Sequence, residues 1–282
     1  MVRTVGLMVK DDEQAQRTAD AFSVWLVNRG LEVVRALASG SGPVSCCRAP
    51  EDVEVVFVLG GDGTFLSAAR WIGSLGVPLL GVKFGEVGFL AEVPEDRLYE
   101  IADAVLQGFY TAEERMCLKV SLHRGDETLL EERVLNDVVI AKSAMARLAR
   151  VRTEIDGRYL TTYTGDGLIV ATPTGSTAYS MAAGGPVVHP FLEAILMTPI
   201  CPFTLTNRPL ILPEDVRITI RLDPRSSGDI MLTCDGQSGH DLQHGDSLSV
   251  VRAKTPLRLI TLPGQRYFDV LKAKLRWSGE RI

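Results

Sequence analysis

The chain has 282 residues, 46% hydrophobic and 23% charged, with a net charge of −5. This is ordinary globular composition, with room for one large domain or two smaller ones. The acidic balance argues against a nucleic-acid binder, and the lack of an apolar run of about 18 residues argues against a membrane span.

In chain order, Val5–Val9 reads as a strand. A helix over Asp11–Arg29 follows, capped by Asp11 or Asp12 and closed by Gly30, with Ala19, Phe22 and Leu26 on one face. The amino terminus thus enters a strand and lacks a signal-peptide core. Leu31–Leu37 is a second strand, Ser39–Pro50 a loop, Val53–Leu59 a third strand and Val77–Val82 a fourth. Helices are expected at Phe65–Trp71 and Glu95–Gln107. This alternation predicts a parallel, doubly wound sheet.

After about Glu114 the pattern changes to short alternating strands: Cys117–His123, Thr128–Leu135, Asp137–Ala141, Val151–Ile155, Tyr159–Thr164 and Leu168–Thr172. More follow at Val216–Leu222, Ile230–Cys234, Ser247–Val251 and Leu257–Thr261. Asp156-Gly157 is a tight hairpin signal, so this half reads as antiparallel β structure. Helical spacing returns at Tyr267–Trp277, with Phe268, Leu271 and Leu275 on one face that needs a partner. Five cysteines (Cys46, Cys47, Cys117, Cys201 and Cys234) form no disulfide framework or zinc hook, which suits reduced thiols in the cytoplasm.

The strand Val53–Leu59 runs into Gly60-Gly61-Asp62-Gly63-Thr64, at the carboxyl end where open α/β sheets bind ligands. Three glycines permit positive φ and close approach of an anionic ligand, and amides at the next helix start can face phosphate oxygens. Asp62 is the unusual member, because a carboxylate repels phosphate unless it handles a proton or a metal. Taken alone, a structural turn with Asp62 as helix cap remains an alternative. A second glycine loop, Gly81 to Leu90 with Gly85 and Gly88, should reach the same rim.

Two further segments carry polar chemistry. Asn136-Asp137 interrupts an apolar strand and can donate to and accept from a diol such as ribose; a bulge or turn is the plain alternative. The run from Tyr163 to Pro186 crowds hydroxyls, glycines and the Tyr179 ring without charge beyond Asp166, which suits adenine and its ribose. There is no G-x-G-x-x-G, no P-loop and no zinc-ligand spacing.

Together these motifs resemble the bacterial NAD kinase family. The likeness rests on Gly60–Thr64, Asn136-Asp137 and Gly165-Asp166-Gly167, then on Thr172-Pro173-Thr174-Gly175-Ser176-Thr177-Ala178-Tyr179. It extends through Gly184-Gly185-Pro186, Asn207-Arg208-Pro209 and Asp235-Gly236-Gln237 to Lys274–Trp277. It implies an α/β plus all-β fold: a Rossmann-like N-terminal domain (1–115, completed by 265–282) and a β-sandwich-like C-terminal domain (116–264). The last helix would return to the first domain, and the active site would lie between domains.

The activity implied is phosphorylation of the adenosine ribose 2′-hydroxyl of NAD, with ATP or polyphosphate as donor and a divalent metal, Mg²⁺ by preference. A homo-oligomer, dimer or tetramer, is implied as well. Asp62 would act as general base, and Gly61, Gly63, Thr64 and Phe65 would meet the nucleotide. Asn136 and Asp137 would hold ribose hydroxyls. Thr177, Ala178 and Tyr179 would line the adenosine pocket, with Asp166 reaching the ligand across a subunit contact.

Departures from the family pattern are Asp137 for a usual Glu, Lys83 and Glu86 at the glycine rim, Thr164 for Arg and Ala182 for Ser. Lys83 is a candidate phosphate contact. The competing readings are a non-catalytic NAD(P)-binding sensor and a lipid or sugar kinase sharing the Gly60–Thr64 loop.

Overall fold

The computed structural model describes residues 3–38, 48–84, 88–91, 93–143, 148–226, 229–262 and 267–277. They divide into two compact units. One holds the described residues up to Glu114 and those from Leu257 onward; the other holds Arg115 to Pro256.

The first unit begins with β1 (Thr4–Lys10), α1 (Glu13–Val27), β2 (Glu32–Ala38), β3 (Val53–Leu59), α2 (Asp62–Ile72) and β4 (Pro78–Lys83). The short β5 (Val93–Pro94), a 3₁₀ turn at Glu95–Arg97, α3 (Leu98–Leu106) and β6 (Thr111–Arg115) follow. Asp12 caps α1 by accepting from the Ala15 N–H at 2.9 Å, as its position in the sequence predicts. Ala15, Ala19, Phe22 and Leu26 bury one face of α1 against Val5, Leu7 and Val9 of β1, together with Leu98 and Ile101 of α3. Each large side chain so buried contributes about 1.5–3 kcal/mol. The alternate residues of β1 face the other way, where the Trp71 ring of α2 lies over Gly6. Helices therefore cover both faces of the sheet.

The second unit contains β7 (Leu118–Arg124), β8 (Glu127–Val134), β9 (Asp137–Lys142), β10 (Ala149–Ile155), β11 (Arg158–Gly165) and β12 (Gly167–Ala171). A 3₁₀ turn at Thr174–Thr177 and the one-turn α4 (Tyr179–Ala182) lead to β13 (Ala194–Ile200), β14 (Leu210–Pro213) and β15 (Ile218–Leu222). β16 (Ile230–Cys234), β17 (Ser238–Leu242) and β18 (Asp246–Arg252) complete it. Two antiparallel sheets result, ordered β11-β10-β15-β18-β7-β8 and β14-β13-β12-β9-β16-β17. Alternate residues of both sheets, such as Val120, Leu122, Val138, Ile140, Leu168, Val170, Leu248 and Val250, share one core, which makes this unit β-sandwich-like. The second sheet also buries its other face, where Val139, Ile169, Ala171 and Leu196 pack with Val188.

The chain then returns to the first unit as β19 (Leu257–Thr261) and α5 (Tyr267–Leu275). The first sheet runs β2-β1-β3-β4-β19-β6, with β5 beside β4. β19 thus corrects the sequence expectation that placed it in the second domain: Arg258 and Leu259 pair in parallel with Pro78 and Leu79. Its alternating pattern marks a strand but says nothing about which sheet receives it. On α5, Val270 and Leu271 are buried, whereas Phe268 is 58% exposed and leaves the apolar face expected for it. β6, β13, β14 and β17 are strands that periodicity did not indicate.

Candidate active site

In the first sheet β2 and β3 lie on opposite sides of β1, so the strand order reverses there. Ligands of open α/β sheets bind beyond the carboxyl ends of the strands at such a reversal. Gly60 to Thr64 occupies that end of β3, and the end of β4 lies beside it, with the Gly60 N–H bonded to the Val82 carbonyl at 2.9 Å. The two glycine loops therefore share a rim, as expected; Gly85 and Glu86 lie outside the described residues.

The glycines work differently from the expectation. None of Gly60, Gly61 and Gly63 has positive φ. Gly61 is the extended N-cap of α2, with no side-chain cap, and a Cβ on Gly61 or Gly63 would meet nothing within 4 Å. They leave bare backbone facing open space. Asp62 stands in the first helical turn, where the dipole of α2 favours a negative charge, and does not act as the cap.

Its carboxylate is held by three consecutive amides. Oδ2 accepts from the Phe89 N–H at 2.9 Å, and Oδ1 accepts from Leu90 at 3.0 Å and Ala91 at 3.4 Å. This cradle depends on a close approach at Gly81, where a Cβ would stand 2.6 Å from the Leu90 carbonyl oxygen. Phe65 is fully buried, and its N–H closes the first turn on the Gly61 carbonyl at 3.0 Å. Lys83 ends β4, half-buried.

The second constellation lies at one end of the sheet that contains β9 and β12. Asn136 precedes β9 and Asp137 opens it, opposite Ala171 of β12. The Thr172 N–H donates to the Asn136 carbonyl at 2.9 Å and its hydroxyl to the Leu135 carbonyl at 2.6 Å. Asp137 is 5% exposed and accepts a backbone hydrogen bond from Tyr179. Burial, helped by the charge of Asp235, pushes its carboxyl up to about 7. Thr177, Ala178 and Tyr179 are thereby gathered beside Asp137, with Tyr179 47% exposed.

Other hydroxyls of that segment turn inward. Ser176 donates to the Pro173 and Val188 carbonyls and accepts from the Val188 N–H, while Ser180 pairs with Thr198 at 2.8 Å. Asp166 stands before the opposite end of β12, about 17 Å along the strand, and is ion-paired to Lys142 at 3.0 Å. It is not brought to Asn136 and Asp137 within one chain. Among the described residues, no cluster of three or more His, Cys, Asp or Glu side chains could hold a metal ion.

Two features escaped sequence reasoning, although Gly88 and Asp235 stood in noted motifs. One is the 89–91 amide cradle. The other is a matching one, in which the Asp235 carboxylate accepts from Leu135, Asn136 and Asp137. Backbone donors leave no trace in side-chain identity.

Comparison with known proteins gives one result throughout. Residues 5–110 match the ATP-NAD kinase N-terminal domain and residues 135–262 the ATP-NAD kinase C-terminal domain. The chain is 48% identical to the NAD kinase of Desulfatibacillum aliphaticivorans over 287 aligned positions, covering 100% of both chains. It is 47% identical to that of Geobacter sulfurreducens, covering 96% of each. Among solved structures, yeast NADH kinase complexed with NADH is 25% identical with a TM-score of 0.88, covering 100% of this chain and 89% of that one. An Archaeoglobus fulgidus NAD kinase in complex with ATP shares the fold, with a TM-score of 0.76 at 23% identity, covering 98% of this chain and 100% of that one.

Proposed function

The chain belongs to the NAD kinase family and phosphorylates NAD to NADP, and we propose that Asp62 is its general base and that Asn136 and Asp137 are its ribose ligands. ATP is the donor in this reading, as the relatives' family description and the ATP-bound archaeal structure support; polyphosphate is the alternative. Yeast NADH kinase, bound to NADH, supports a nicotinamide dinucleotide as acceptor.

The observation that carries the reading is the state of the Asp62 carboxylate. A carboxylate offers about four acceptor positions. Among the described residues, three amides take two on Oδ1 and one on Oδ2, which leaves one position on Oδ2 with its direction already set. A secondary hydroxyl is weakly acidic and needs such a base as its oxygen attacks. The ribose 2′-oxygen gives its proton to Oδ2 and bonds to the γ-phosphorus; the bond from that phosphorus to the bridging β–γ oxygen breaks, and ADP leaves. Phosphoryl transfer gains mainly from positioning and charge stabilisation. Gly61 and Gly63 leave room for the phosphates, Thr64 adds a hydroxyl, and the start of α2 adds a favourable dipole.

Asn136 offers both a donor and acceptors to the ribose, and a protonated Asp137 can donate as well as accept. Thr177, Ala178 and the exposed Tyr179 ring line the adenosine. Asp166, remote from this group along β12, serves a ligand on a neighbouring copy in a dimer or tetramer. A divalent ion such as Mg²⁺ would be held mainly by the donor phosphates, where it would neutralise their charge; among the described residues no cluster of carboxylates is set to hold it, and the open position of Asp62 is kept for the proton. We place the reaction in the cytoplasm, where free thiols such as those of Cys117, Cys201 and Cys234 stay reduced.

The test is NADP formation from NAD and ATP with Mg²⁺, in the native protein and in Asp62→Asn. A fall of about 10²–10⁴ in kcat, with NAD binding within threefold, is expected. Near-normal turnover in the variant overturns the base assignment.

A further inference from the structure

Asp235 has no part in the chemistry above, yet its carboxylate accepts three backbone hydrogen bonds. It is a non-glycine residue at φ 51, a left-handed conformation that Asp enters at some cost. That conformation turns its carboxylate back over the start of β9. Oδ2 accepts from the Leu135 N–H at 2.9 Å, and Oδ1 accepts from Asn136 at 2.7 Å and Asp137 at 3.1 Å. The Asp235 N–H returns a bond to the Asp137 carbonyl at 2.9 Å. Every backbone amide of the segment carrying the ribose-binding pair is therefore fixed by one side chain. Resting on the reading of Asn136 and Asp137 as ribose ligands, we propose that Asp235 is the positioning residue for NAD, setting the backbone from which both side chains project.

A plain turn would need neither the strained conformation nor a carboxylate. Three hydrogen bonds to a charged acceptor are together enough to offset the cost of a left-handed Asp. Asp235 has a second effect on the pair. The elements against Asp137 bring three titratable groups: Cys234 and Asp235 from β16 and its turn, and Tyr179; β12 carries none. Of these, the Asp235 charge opposes ionisation of Asp137, after burial itself. One carboxylate thus fixes the direction of its neighbour and favours the protonated form that donates to a ribose oxygen.

Asp235→Asn removes the charge at nearly constant shape, and Asp235→Glu keeps the charge but displaces it by one methylene. In each variant that retains the native circular dichroism spectrum, KM for NAD should rise about tenfold. KM for ATP and kcat should stay within threefold, a split that general loosening would not produce. The Asp137 carboxyl titration, followed by carbon NMR and assigned by its loss in Asp137→Asn, should move down by about one pH unit in Asp235→Asn. An unchanged KM for NAD in the folded variants overturns the proposal, as does a parallel loss of kcat and both KM values. Asn136→Ala and Asp137→Asn separate the two readings. If they leave KM for NAD unchanged, the ribose assignment fails and this proposal falls with it. If they raise it while the Asp235 variants do not, only the proposal about Asp235 fails.

Discussion

The Gly88 backbone lies so close to the Asp62 carboxylate that a Cβ on it would stand 2.7 Å from Asp62 Cγ and nearer still to Oδ1. Gly88 leads directly into the three amides that hold Asp62. Gly88→Ala must push the carboxylate out of its cradle or lift the 88–91 segment away. Turnover is expected to fall by about 10²-fold, as displacement of a reacting group by about 1 Å does. Intact circular dichroism with kcat within threefold of the native value would show that the cradle is not needed.

Asp62→Asn affects stability as well as turnover. An asparagine presents an amide NH₂ to one side of the cradle, facing either Phe89 or the Leu90–Ala91 pair, where two donors then oppose each other. The expected cost is about 1–3 kcal/mol, a Tm decrease of about 2–10 °C for a chain of this size. Asp62→Ala leaves all three amides without this acceptor and should be no more stable than the asparagine variant. Thermal unfolding without ligands checks both; an unchanged Tm would mean that water replaces the carboxylate without loss.

Asp137 makes stability depend on pH in a direction opposite to that of a paired surface carboxylate. Its carboxyl ionises at about 7 in the folded protein against an ordinary value of 3.8. Between these values the unfolded chain loses the proton while the folded protein retains it. The unfolded state then binds fewer protons, so stability falls as pH rises, by up to about 1.4 kcal/mol per unit, and levels off above 7. Asparagine at 137 has no proton to lose and can still accept from Tyr179. The Tm of Asp137→Asn relative to the native protein should rise by several degrees between pH 5 and pH 8. A constant difference across that range would show that Asp137 ionises normally.

The first unit was legible from β1 to β4 because its signals there are local: Asp12 caps α1, Gly30 closes it, and strands alternate with amphipathic helices. β13 was not, because Ala194–Ile200 is buried on every residue and so lacks a period of two, and because Pro199 argues against a central strand. β17, Ser238–Leu242, is a polar edge strand with little apolar signal. At the site, residue types pointed to Asp62 and to Asn136-Asp137, but type alone could not separate the inward Ser176 and Ser180 from the outward Tyr179. Phe65, which the resemblance brought in, is fully buried, and residue type alone does not say which way a helical side chain turns. Asp235 is a hundred residues away from Leu135 in the chain, and only the fold brings its carboxylate to those amides.

Gly175 offers a test of the second constellation that leaves every proposed ligand side chain in place. A Cβ on it would stand 2.7 Å from the Asn136 Cα and closer to the Asn136 carbonyl, which already accepts from the Thr172 N–H. The Gly175 N–H in turn donates to the Thr172 hydroxyl at 3.0 Å. Backbone meets backbone here, so no flexible side chain can yield, and Gly175→Ala must separate the 174–177 turn from Asn136. The turn leads to Thr177, Ala178 and Tyr179, so both halves of the proposed adenosine-ribose pocket should shift together. KM for NAD is expected to rise at least tenfold, with KM for ATP within threefold. Equilibrium binding of NAD without ATP provides an independent check, since a weaker Kd there cannot arise from altered chemistry. A folded Gly175→Ala protein that binds NAD normally would remove the Thr177–Tyr179 turn from the nucleotide site.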